Sequence, residues 1–152
     1  MHQIPTEEYF SAALWQVVLY RVLSFIIFMI GINLLMIKEA GNLLFLVPLL
    51  FLIAISMFFY TRLKLIISNE NIRLTGWLKP HHMVWSDITK VDMVSLGKYK
   101  TPTATIYYAN RKLDLHRGFY LQPKFNRILT LLEIKIDRGL FTERYWEIRH
   151  QK

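Results

Sequence analysis

Five histidines and eleven carboxylates are the first groups to ask about in a chain of 152 residues that has no cysteine. Thiolate metal sites, cysteine nucleophiles and disulfides are thereby excluded. His81 and His82 are adjacent in a strand-like stretch, so their side chains point to opposite faces and do not readily share one metal ion. Adding His116 makes a ligand set conceivable, but no acidic residue is spaced to complete it, and no metal is expected. Asp87, Asp92 and Asp114 are the only acids between Glu70 and the C-terminal helical stretch. They do not pair as a general acid and base must when they flank a pocket. Asp87 follows Ser86, a combination that bonds nearby backbone in turns. No nucleophile elbow, phosphate loop or dinucleotide fingerprint occurs. Neither a catalytic group nor a cofactor is expected.

Cations interleaved with aromatics are the stronger signal. Arg62, Lys64, Arg73, Trp77 and Lys79 form one set, and Lys98, Tyr99 and Lys100 another. From Arg62 onward there are 17 Lys and Arg against 8 Asp and Glu, a balance of +9. Charge of this sign suits an anionic membrane surface, at about 1 kcal/mol per nearby cation. Nucleic acid is not expected as a partner, because no recognition helix with clustered Arg, Asn or Gln is present.

What must position these residues begins with two apolar runs, 22–37 and 43–60, separated by Lys38-Glu39-Ala40-Gly41-Asn42. Neither run has the polar stripe of a core helix, and each approaches the roughly 20 residues that cross a bilayer. They predict a transmembrane helical hairpin. Gly31 permits close helix approach, Asn33 is expected to bond to the partner helix, and Ser56 to pack against a neighbouring span. Pro48 is tolerated in such helices. Arg21, Arg62, Lys64 and the basic remainder lie on one side of the hairpin and a near-neutral loop on the other. The positive-inside rule then puts both termini in the cytoplasm, at the inner or plasma membrane.

Residues 1–21 are expected to form an N-terminal cytoplasmic or interfacial helix, with Thr6 as cap and Glu7 and Glu8 in its first turn. Trp15 and Tyr20 are interfacial residue types. The helix either lies on the leaflet or continues into the first span. From Leu65 the periodicity becomes strand-like. Strands are predicted at 65–68, 72–77, 82–85, 88–96, 103–108 and 112–115. A helix follows from Pro123, with Phe125, Ile128, Leu129, Leu132 and Ile136 on one apolar face. The segment 137–152 reads as a basic, aromatic tail, with a second short helix lying on the sheet or on lipid as one arrangement open to it.

The order is that of a small antiparallel β-barrel or sandwich with a C-terminal helix, behind a membrane hairpin: a membrane α+β protein. Residues 67–93 (ISNENIRLTGWLKPHHMVWSDITKVDM) resemble the core of the bacterial pleckstrin-homology-like domain. The resemblance is carried by the Ser68-Asn69 turn, by Gly76, and by the Trp85-Ser86-Asp87-Ile88 bend with Val91. It covers about 62–136 and implies a cytoplasmic domain in which Trp85 and Ile88 fill the core. Members of the family often carry helical hairpins immediately before the domain. In lipid-binding relatives, basic residues on the first two strands and their loop hold phosphate, positions that Lys64, Arg73 and Lys79 roughly occupy here. The function expected is non-enzymatic docking of a protein partner or of the anionic membrane surface, in an accessory, scaffold or protective role. A small subunit of a transporter or envelope-synthesis complex, or a homo-oligomer in the membrane, is the alternative. A lipid-acting enzyme is the third reading.

Overall fold

The computed structural model describes residues 7–37, 41–76 and 80–151. Trp77, Lys79, Thr6 and the Lys38–Ala40 segment of the inter-helix loop lie outside them. The elements run β1 (Glu7–Ser11), α1 (Leu14–Met36), a short 3-10 turn (Gly41–Phe45) and α2 (Leu46–Tyr60). Then come β2 (Lys64–Ser68), β3 (Asn71–Thr75), β4 (His81–Val84), β5 (Ile88–Leu96), β6 (Thr101–Tyr108) and β7 (Arg111–His116). Helices α3 (Arg117–Lys135) and α4 (Glu143–His150) close the chain. All strand pairs are antiparallel, in two sheets of order β1-β2-β3-β4 and β5-β6-β7. Neither sheet closes on itself, so the barrel expected from the sequence is two open sheets.

The chain divides into two compact units. Among the described residues, one is the helical pair with its flanks, within 12–63 and with Gly76; the other is the β-rich remainder, which includes residues 7–11. The structure therefore draws the boundaries differently from the sequence. Residues 7–11 are not the start of a helix but the edge strand β1, paired with β2 from Glu7↔Ser68 to Ser11↔Lys64. The segment Glu7-Glu8-Tyr9-Phe10-Ser11 alternates, and only Phe10 is fully buried. Two cations of α3 hold the strand down. Arg127 donates twice to the Glu8 carboxylate, at 2.6 and 3.1 Å, and Lys124 donates to the Ser11 carbonyl at 2.9 Å. Helix α1 begins only at Leu14 and runs unbroken to Met36. Its first turn is closed by the Gln16 side chain, which accepts from Ala13 N at 3.1 Å. Of the two arrangements open from the sequence neither is found whole: the helix continues into the first apolar run, but only from Leu14, and residues 7–11 are strand.

In the β unit the core follows the two-residue period. Leu65 and Ile67 on β2, Ile72 on β3 and Met83 on β4 are buried. So are Val91, Met93, Ala104, Ile106, Leu113 and Leu115 of the other sheet. Helix α3 touches β1 of one sheet and β6 and β7 of the other. Phe125, Ile128, Leu129, Leu132 and Ile136 are all buried, as their spacing requires. Leu121 leaves helical geometry at φ 60°, ψ 164°, so α3 is two helical pieces. Pro123 then falls in the first turn of the second piece, where its missing N–H breaks no hydrogen bond.

One further expectation is corrected. Trp85 is half-buried, not a core filler; it sits in a one-turn helix and donates its indole N–H to the Ser68 carbonyl at 3.2 Å. Ile88 is buried. The segment from 137 does hold a short second helix, α4, and it lies against β5. Thr142 N donates to Val91 O at 3.0 Å, and its hydroxyl to Asp92 at 2.6 Å. Tyr145 is fully buried and donates to Glu133, which also accepts from Arg149 at 2.8 Å. Burial and the Glu133 carboxylate push the Tyr145 hydroxyl far up, so it stays a neutral donor.

Candidate functional site

The helical pair meets both requirements of a membrane span, length and apolar exposure. Leu14–Met36 and Gly41–Tyr60 are long and apolar enough to cross a membrane, and only 11% of each apolar window is buried. At about 1.5 Å per α-helical residue and about 2.0 Å per 3-10 residue they reach about 34 and 32 Å. A core helix of a soluble protein has the opposite exposure, with most of its apolar side chains covered.

The two helices are joined by a hydrogen bond that the sequence did not single out. Ser24, buried on α1, donates to the Ala54 carbonyl of α2 at 2.7 Å. Asn33, expected to bond across to α2, donates to Met29 O on its own helix at 2.8 Å and is exposed. An i−4 carbonyl is within reach of any such side chain, and this one has no facing polar group. Gly31 does serve close approach. A Cβ there would lie 2.7 Å from the Phe51 ring, which packs at a tilt against Phe28 with ring centres 5.2 Å apart. Ser56 is exposed and lines a shallow groove with Tyr20, Met57 and Tyr60. It takes no part in joining α1 to α2.

At one end of the pair, Arg21 Nε donates to Thr61 Oγ1 at 3.4 Å, and the Arg62 guanidinium lies 5.8 Å from the Phe58 ring centre. No carboxylate among the described residues pairs with either arginine. Beside them a groove of about 440 Å³ opens between the helices, walled by Ser24, Phe25, Phe28, Phe58 and Phe59 with Arg21 at its rim. Gly76, at φ 91°, passes so close that a Cβ would lie 2.0 Å from the Arg62 carbonyl. A side chain there would meet both backbone strain and a clash.

The β unit divides the remaining predicted site residues between its sheets. Lys64 and Arg73 share the outer face of the first, since Ile66↔Arg73 and Lys64↔Thr75 are in register. Lys64 is exposed, whereas Arg73 is committed to Glu7 at 2.6 Å. Glu7 also accepts from Tyr9, whose hydroxyl is shifted up by that bond. Lys98, Tyr99 and Lys100 occupy the β5–β6 turn of the second sheet, and Tyr99 is 84% exposed. This turn is the most exposed basic and aromatic cluster among the predicted residues described.

Several groups with acid–base potential are spent on structure. His81 Nδ1 bonds the Tyr108 hydroxyl, tying β4 to β6, and burial and the Arg111 charge shift its pKa down. His116 bonds Thr103 at 3.0 Å, five residues along β6 from Tyr108. His82 is exposed. Asp92 accepts from Met93 N and Thr142, Asp114 accepts from Thr105 at 2.7 Å, and Asp87 is exposed in its turn. Among the described residues, no three His, Asp or Glu gather to hold a metal. Compared with family models, curated proteins and solved structures, the chain matches none.

Proposed function

We propose that this chain is a two-span protein of the cell membrane, with both termini cytoplasmic, whose basic β domain docks onto anionic lipid or a protein partner and catalyses no reaction. One observation carries the reading: an exposed apolar hairpin is inserted between two strands that hydrogen-bond to each other. Because β1 and β2 pair, the chain enters and leaves the hairpin from one domain, which supports placing both ends on the same side. Only Ala12 and Ala13 precede α1, and only Thr61, Arg62 and Leu63 follow α2. That side carries Arg21, Arg62, Lys64 and the +9 balance, which the positive-inside rule assigns to the cytoplasm.

The strand succession and closing helix support kinship with the bacterial pleckstrin-homology-like domain. Here, however, the hairpin interrupts the domain after its first strand. Membership of a larger membrane complex is the second reading, favoured by the apolar side chains that both helices leave uncovered. Stoichiometric partners after extraction in mild detergent would support it. A lipid-acting enzyme is the third reading, and no specific observation favours it.

The docking surface is tested with the β domain freed of its hairpin and sedimented with liposomes of rising anionic content. Binding is expected to rise with anionic lipid and fall with salt. The double variant Lys98→Glu, Lys100→Glu is expected to weaken it more than tenfold, at about 1 kcal/mol per cation removed and as much again per charge reversed. No binding to strongly anionic liposomes at low salt would leave protein docking as the domain's task.

A further inference from the structure

We infer that the groove between α1 and α2 seats one anionic phospholipid, with its phosphate on Arg21 and Arg62 and one acyl chain against Phe25, Phe28, Phe58 and Phe59. The inference rests on the membrane-spanning reading and adds to it a defined site. The groove's volume of about 440 Å³ falls within the ~300–1,000 Å³ of ligand pockets. Its chemistry is graded along its length. Arg21 stands at the rim, and Arg62 lies over Phe58, one of its walls. The polar group further in, the Ser24 hydroxyl, is already spent on Ala54 O, so the interior asks only for hydrocarbon.

The rim asks for an anion. A guanidinium carries five N–H donors in a fork that matches phosphate. Thr61 engages only Nε of Arg21, and no carboxylate among the described residues engages either arginine. A cationic rim above an apolar trough is the complement of a phospholipid. A third helix or a second copy would fit less well. Helices pack in membranes through small residues; the small residues of this groove, Ser24 and Ala54, are only 8% and 2% exposed, while the walls a partner would meet are bulky, with Phe25 65% and Phe58 45% exposed. The small residue Gly31 is already used by Phe51. A flexible acyl chain fills an irregular trough between phenyl rings without that requirement.

The test is native mass spectrometry of the full chain in mild detergent, offered phosphatidylglycerol and phosphatidylcholine of the same acyl length. Phosphatidylglycerol should be retained preferentially. Arg21→Gln with Arg62→Gln should reduce the preference about fivefold per cation, while Arg21→Lys should keep most of it. Ile55→Trp, which adds bulk at a groove-lining position, should lower retention with the charges intact. Equal retention of both lipids, or a preference unmoved by the glutamine variants, would overturn the site while leaving the spans in place. A lipid-free dimer broken by Ile55→Trp would overturn it in favour of a second copy. A chain that carbonate washing releases from membranes would overturn the spans and the site together.

Discussion

A chain in which residues 12–63 are replaced by an Asn-Gly turn is expected to be soluble and to unfold cooperatively, whereas one beginning at Arg62 is expected not to fold. Ser11 and Lys64 are opposite one another across β1 and β2, so a two-residue type I′ turn closes the hairpin in register. The shorter chain loses β1 altogether. It exposes the edge of β2, a template for aggregation, and leaves Arg127 and Lys124 without Glu8 and Ser11. It also empties the site of Phe10, which is 6% exposed. Removing a buried phenyl ring costs about 3–5 kcal/mol, a large part of the 5–15 kcal/mol that holds a typical domain together. Denaturant melts of the two chains decide the matter. Equal midpoints would show that β1 is not part of the domain.

Leu132→Ala is expected to destabilise that excised domain by about 2–5 kcal/mol. Leu132 is fully buried on α3, the helix that touches both sheets. Ile134, two residues on and 68% exposed, is the control, with a change to Ala expected to stay within about 0.5 kcal/mol. Equal effects at the two positions would mean that α3 does not close the core. A shift below about 0.5 kcal/mol for Leu132→Ala would mean the same.

Those buried positions were legible because period is a local signal. The apolar face of α3, the six strands from Leu65 to Leu115 and both apolar helices follow from spacing alone. β1 was hidden for the opposite reason. Five residues beginning Glu-Glu after a threonine look like a helix start, and what makes them a strand lies more than fifty residues away, in the edge of β2. The cations that fix it, Lys124 and Arg127, are further still and read as the solvated side of a helix. The same distance explains the hairpin. Asn33 was the conspicuous polar residue, yet Ser24 bonds across to α2, because the register between two helices decides which hydroxyl meets a free carbonyl. The segment after 137 showed mixed charges and rings, but not that Glu133 would recruit Tyr145 and Arg149 from it. Of the predicted surface cations, Arg73 was claimed by Glu7 once β1 was in place, while Lys98, Tyr99 and Lys100 stayed at an exposed turn.

Topology in the living cell tests the account most directly. The chain has no native cysteine, so single cysteines report cleanly. With a membrane-impermeant maleimide on intact cells, Asn42→Cys in the turn between α1 and α2 is expected to be labelled. Gln151→Cys, beyond α4, is expected to be labelled only after lysis. Labelling of Gln151→Cys in intact cells, or protection of Asn42→Cys until lysis, would contradict a two-span hairpin with its domain in the cytoplasm.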